Sequence, residues 1–130
     1  MILDTDVLIY LLQGDDRTMR KLDALEEERT PLAISSMSLF ELHHSVERVR
    51  DADRRRRAID AVLETRHTYP ADAAVMKKAG RIDGRLTSAG RAIGMGDTII
   101  GATALVQEEP VLTRNVDHFG RIDDLEIESV

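Results

Sequence analysis

The stretch Met1-Ile2-Leu3-Asp4-Thr5-Asp6-Val7-Leu8-Ile9 packs an apolar run, an acidic tip and a helix start into the head of the chain. A run as short as Met1 to Leu3 that halts at a carboxylate reads as a buried strand whose end comes to the surface. Val7 to Leu12 then stays apolar until Gly14, which suits a short helix capped by Thr5 or Asp6. A strand handing over to a helix this quickly opens a β-α unit, and the rest of the chain repeats the alternation.

Asp15 to Glu28 places Met19, Leu22 and Leu25 at helical spacing, and the Thr30-Pro31 step ends that helix. Leu32-Ala33-Ile34 reads as a second strand. Ser35 or Ser36 caps a helix holding Leu39, Leu42 and Val46. Asp51 to Arg66, with Arg54 to Arg57 near its start, predicts a further helix whose basic run is either solvated or a contact for an acidic partner. An extended piece around Thr68 to Pro70 precedes a helix from Ala71 to about Ser88. Gly90, Gly94 and Gly96 then punctuate a loop leading to Asp97, which opens a small-residue helix ending near Glu109-Pro110. Val111-Leu112 is a strand, Thr113 to Gly120 a loop or short helix, and Glu126 to Glu128 an edge strand. Strands alternating with helices predict an α/β/α sandwich in three layers, around a mostly parallel sheet of about four or five short strands. No repeat or linker divides residues 1–130, so one domain is expected.

Composition narrows the function. The chain has 130 residues, 42% of them hydrophobic, which excludes a disordered acidic tail. It lacks cysteine, which excludes disulfides, thiolate zinc sites and cysteine nucleophiles. No apolar run reaches the roughly 20 residues of a membrane span, and Met-Ile-Leu-Asp has no basic signal-peptide head, so a cytoplasmic location is expected. The net charge of -6 argues at first against a nucleic-acid partner. Of the 18 basic residues all but Lys21, Lys77 and Lys78 are arginine. That bias suits a high-salt cytoplasm or a GC-rich genome equally, and assigns no function.

Placement of the acids says more. Asp4 closes a strand, Glu41 lies between Phe40 and Leu42 early in an otherwise apolar helix, and Asp97 stands at a helix start, where the dipole favours its ionised form. Thr113-Arg114-Asn115-Val116-Asp117 follows another strand. Each has an ordinary explanation alone, as a cap, a solvated face or a loop. As a set they fall where α/β sheets build sites, and an oxygen-only set suits Mg²⁺ or Mn²⁺.

Four blocks carry a resemblance. They are Met1 to Ile9, Ile34-Ser-Ser-Met-Ser-Leu-Phe-Glu-Leu42, Gly94-Met-Gly-Asp-Thr-Ile-Ile-Gly-Ala-Thr-Ala-Leu105 and Leu112-Thr-Arg-Asn-Val-Asp-His-Phe119. In this order and spacing the chain resembles the PIN-domain family, most closely the VapC-type ribonuclease toxins of toxin–antitoxin pairs. The resemblance implies a metal-binding triad of Asp4, Glu41 and Asp97. It puts Asn115, or Asp117 two residues on, at the fourth acidic or amide position, and makes Thr5, Asp6, Ser35 and Thr113 supporting groups. Asp6 stands where the family often has Asn. It further implies an endoribonuclease using Mg²⁺ (or Mn²⁺) to leave a 5′-phosphate and a 3′-hydroxyl, a cognate antitoxin and a homodimer. Two other readings remain open: an RNA-processing nuclease without antitoxin, and a degenerate scaffold that only binds RNA or protein. On the nuclease readings the charge at the triad is there for a cation to cancel, so the acidic balance no longer excludes RNA.

Arg81, Arg85, Arg91 and Arg114 flank the Asp97 and Asn115 blocks and are candidate phosphate contacts. Glu41-Leu-His43-His44 is not a zinc motif, since adjacent histidines point about 100° apart on a helix; they are expected to be solvated or partner-facing. Gly94-x-Gly96 lacks the setting of a dinucleotide loop and reads as a flexible entry to Asp97. The aromatics are Tyr10, Phe40, Tyr69 and Phe119, which predicts recognition through RNA structure or phosphates rather than base stacking.

Overall fold

The computed structural model describes residues 1–130. In chain order its elements are β1 (Ile2–Leu3), α1 (Thr5–Leu12), α2 (Asp16–Glu27), β2 (Ala33–Ser35), α3 (Ser36–Val46), α4 (Ala52–Glu64), β3 (His67–Tyr69), α5 (Ala73–Ser88), α6 (Met95–Gln107), β4 (Val111–Thr113), α7 (Val116–Phe119) and β5 (Ile127–Ser129). All five strands are parallel, in the spatial order β3-β2-β1-β4-β5.

Parallel strands in such a sheet are covered on both faces, and side chains alternate between them. Leu3, Ile34 and Leu112 point into the core beneath α1 to α4, with Val7, Leu8, Leu22, Leu42, Val46 and Ile59. Ile2, Ala33 and Val111, one residue earlier on each strand, point into the opposite core with Val75, Ile82, Ile100 and Phe119. The register pairs Leu3 with both Ile34 and Leu112. One residue further, Asp4, Ser35 and Thr113 therefore share a row, on the face that α6 covers.

From β1 the chain winds outward to β2 and β3, then returns through α5 and α6 to β4 on the other side of β1. Right-handed crossovers force the two directions onto opposite faces, and the reversal leaves a crevice between the carboxyl ends of β1 and β4. The expected three-layer α/β/α sandwich is the fold observed.

The structure corrects several boundaries. The cap of α1 is Asp4 itself, not Thr5 or Asp6: Asp4 is extended, and its carbonyl accepts the first helical N–H groups, from Val7 and Leu8. Helix α5 begins at Ala73, because the Asp72 carboxylate caps the N–H of Val75. Helix α6 begins at Met95, so Gly96 and Asp97 lie inside its first turn instead of ahead of it. The turn into it is made at Gly94, whose φ of 97° suits glycine. Strand β5 is shifted by one residue toward the C-terminus.

Helix α6 contains Gly101, Ala102 and Ala104, all buried, and lies close against its neighbours. A Cβ on Gly101 would stand 2.4 Å from Ile122 Cδ1, and Ile122 is buried against the same core. Gly80 and Gly84, in mid-α5, have open space instead. Gly101→Ala should therefore destabilise the chain by about 1–3 kcal/mol through overpacking. Gly84→Ala should stabilise it by up to about 1 kcal/mol through helix propensity. Urea denaturation of the two variants should move the midpoints in opposite directions.

Candidate active site

Asp4 is 2% exposed, and burial pushes its carboxyl up to about 7, with the charges of Asp97 and Asp6 adding to the shift. The Thr113 hydroxyl, in the same row on β4, opposes that shift by donating to Asp4 Oδ2 at 2.8 Å. The backbone N–H of Asn115 donates to the same hydroxyl oxygen, also at 2.8 Å, so Thr113 is fixed from behind.

Glu41 arrives from α3. Burial raises its carboxyl, as do Asp97 and Asp6, while the Thr5 hydroxyl donates to Oε1 at 2.8 Å and pulls the other way. A hydroxyl has one proton to give, so the Ser38 hydroxyl, 2.8 Å from Thr5 Oγ1, donates in turn. The other carboxylate oxygen rests over Gly96: a Cβ there would come within 2.7 Å of Glu41 Oε2.

Asp97 is raised by burial and by Asp6, and is moderated by His118, whose Nδ1 is 3.1 Å from Asp97 Oδ2. In the Nδ1-protonated tautomer that nitrogen donates to the carboxylate. The three acids thus come from the end of β1, from α3 and from α6, and the charge of Asp97 acts on both Asp4 and Glu41. As placed, no three acidic or histidine side chains converge on a point that one ion would fill. Each carboxylate instead faces its own donor, as repelling charges short of solvent do.

The other sequence candidates fall in distinct places. Asp6 is exposed, yet its charge acts on all three acids. Ser35 does not touch the acids. Its hydroxyl accepts from the N–H of Met37 and lies 3.2 Å from that of Thr103, joining α3 to α6. The Asn115 side chain caps α7 by accepting from the N–H of His118. Asp117 is exposed and pairs with Arg121 at 2.9 Å, and it is not among the charges that act on the three acids.

Arg114 is engaged with Asp15 and lies 4.0 Å above the Tyr10 ring. Arg81, Arg85 and Arg91 are exposed. Arg85 lines a small cavity with Leu105 and Arg121; Leu105 is about 12 Å along α6 from Asp97 at the ordinary helical rise.

Sequence reasoning missed His118, Ser38 and the role of Gly96. Gly96 read as loop punctuation, but it is helical, and what it supplies is space for a carboxylate. His118 lies within the Leu112–Phe119 block, three residues after Asn115. Nothing in the spacing shows that α7 turns it back onto Asp97.

Comparison with known proteins agrees with this architecture. Residues 1–125 match the family model described as PIN domain. The ribonuclease VapC10 of Mycobacterium tuberculosis is 35% identical over 127 residues, covering 96% of this chain and 90% of that protein. The ribonuclease VapC2 of Rickettsia felis is 26% identical over 129 residues, covering 98% and 96%. Among solved structures, that of VapBC2 from Rickettsia felis bound to a DNA fragment from its promoter superposes with a TM-score of 0.90 at 25% identity, covering 99% of this chain and 97% of that one. Matched along almost all of its length, the chain belongs to the PIN-domain family, alongside the VapC ribonucleases.

Proposed function

We propose that this protein is a divalent-metal-dependent endoribonuclease and the toxin of a toxin–antitoxin pair, cutting RNA to leave a 5′-phosphate and a 3′-hydroxyl. The observation that carries the chemistry is the gathering of Asp4, Glu41 and Asp97, all pushed up by burial, with no arginine or lysine paired to any of them. The VapC ribonucleases it resembles support the substrate class, and the VapBC assemblies support an antitoxin partner.

The donor set is all oxygen and anionic, which fits Mg²⁺ or Mn²⁺. Asp4, Glu41 and Asp97 would hold the ion, with the Asn115 amide as a neutral fourth donor. When bound, it cancels the clustered charge, polarises the scissile phosphate and acidifies a water. The chain's own groups prepare for it. Thr113, Thr5 and His118 each keep one carboxylate oriented by a hydrogen bond, and Ser38 and the Asn115 N–H fix two of those donors. Gly96 leaves the room in which Glu41 turns. Asp6 adds charge that draws in a cation and repels bare RNA. The small apolar helices also fit a homodimer, which sedimentation would register.

Asp4→Asn and Asp97→Asn should each lower Mg²⁺-dependent cleavage of a structured RNA by about 100-fold or more, since even outer groups of metal sites cost 10–100-fold. A parent that is inert with both Mg²⁺ and Mn²⁺ would favour the degenerate scaffold instead. Expression of the parent should arrest growth, and Glu41→Gln should relieve the arrest. Gly96→Ala should depress cleavage while leaving the far-UV circular dichroism unchanged, because the new methyl displaces Glu41.

Stability should report the same cluster. The Asp4 carboxyl rises from 3.8 to about 7 on folding, so its contribution is fully present below pH 3.8 and is lost as pH climbs through 7. That gap corresponds to roughly 4 kcal/mol. Without divalent cation, Asp4→Asn should melt above the parent at pH 8 and close to it at pH 4. Added Mg²⁺ should raise the parent's midpoint and barely move the variant's.

A further inference from the structure

We infer that Phe40, backed by His44, is a stacking platform for an unpaired RNA base beside the bond that is cut. This rests on the ribonuclease reading and deepens it.

Phe40 and Met95 are the two most exposed large apolar side chains of the molecule, at 65% and 67%. Both are chain neighbours of residues at the acid cluster: Phe40 precedes Glu41 on α3, Met95 precedes Gly96 on α6, and Glu41 packs on Gly96. The other aromatics have work elsewhere. Phe119 is fully buried, Tyr10 lies under Arg114, and Tyr69 meets His67 edge-on at 4.6 Å. Phe40 alone is displayed. Its ring and that of His44, one helical turn on, are within 12° of parallel with centroids 6.4 Å apart. The pair therefore presents flat faces in one orientation.

Any RNA that brings a phosphate to the acids brings the flanking bases with it, and these are the planar groups that reach this rim. A base in a duplex already has both faces covered by its neighbours. An unpaired one is free to lie on an aromatic ring, and proteins that read single strands use that contact. The small number of aromatics in the sequence predicted the opposite mode of recognition. The position of one of them outweighs the count.

The test uses the full chain, Mg²⁺, and an RNA oligonucleotide offered single-stranded or annealed to its complement. Steady-state cleavage is paired with stopped-flow quenching of a 2-aminopurine base next to the cleaved bond. The parent should cleave the single strand at least about tenfold better than the duplex and quench the probe before cleavage. Phe40→Ala should raise KM about 5- to 150-fold, the span of one base–aromatic contact, with a smaller change in kcat and with quenching lost. Phe40→Trp should restore both. Because the side chain is exposed, every variant should keep its thermal midpoint.

Unchanged KM and quenching in Phe40→Ala would overturn the inference, as would equal cleavage of duplex and single strand. A parent dimer that Phe40→Ala turns into a monomer would make this rim a contact between copies of the chain, and would overturn it too. Quenching by a parent that cleaves nothing would sink the hydrolytic reading and keep the platform. Neither quenching nor cleavage would sink both.

Discussion

A carboxylate buried at the carboxyl end of the central strand is the constraint around which the molecule is arranged. Asp4 is shielded from water beneath α6, and solvation that poor is tolerable only where the backbone cannot move away. Two cores, one on each face of β1, supply that rigidity. The topology places the crevice between β1 and β4 at this point, and Thr113 enters it in register as the donor that partly offsets the desolvation. The small residues of α6 let that helix lie close, which brings Asp97 near. Gly96 on the same helix admits Glu41. Remove the burial of Asp4 and none of these approaches has a reason.

The layers were legible because they rest on local rules. Strand ends and helix starts leave their marks in hydrophobic period and capping residues, whereas Asp4, Glu41 and Asp97 each had an ordinary explanation alone and drew attention only as a set within the four blocks. What was illegible depends on the tertiary path. Whether an Asp after a strand or the Thr beside it caps the next helix is decided by which side chain the sheet calls inward. Here Asp4 turns to Thr113, while Thr5 turns to Ser38 and Glu41. A glycine in sequence signals freedom of the backbone, yet Gly96 is ordinary helix and matters for the atom it lacks. His118 reaches Asp97 through a four-residue helix that had read as loop or short helix alike.

Arginines show the same limit. Arg114 follows the β4 strand and looked available to a phosphate, but the fold ties it to Asp15 and lays it on Tyr10. Arg121 is spent on Asp117, and Arg56 on Glu47 and Asp53. Charge counted along the chain is therefore a poor guide to charge presented at the site. No arginine or lysine pairs with Asp4, Glu41 or Asp97, and none is among the charges that act on them.

That separation explains why an apolar rim suits this site better than a basic one. A guanidinium beside Asp4, Glu41 and Asp97 would pair with them, pull their pKa values down and compete with a divalent cation for the same oxygens. An aromatic ring holds a nucleotide through its base and leaves the carboxylates alone. On the proposed reading, phosphate neutralisation and substrate grip fall to different groups, a cation at the acids and Phe40 at their edge. A ring face grips only a base whose own face is uncovered, so on that reading Phe40 selects an unpaired base.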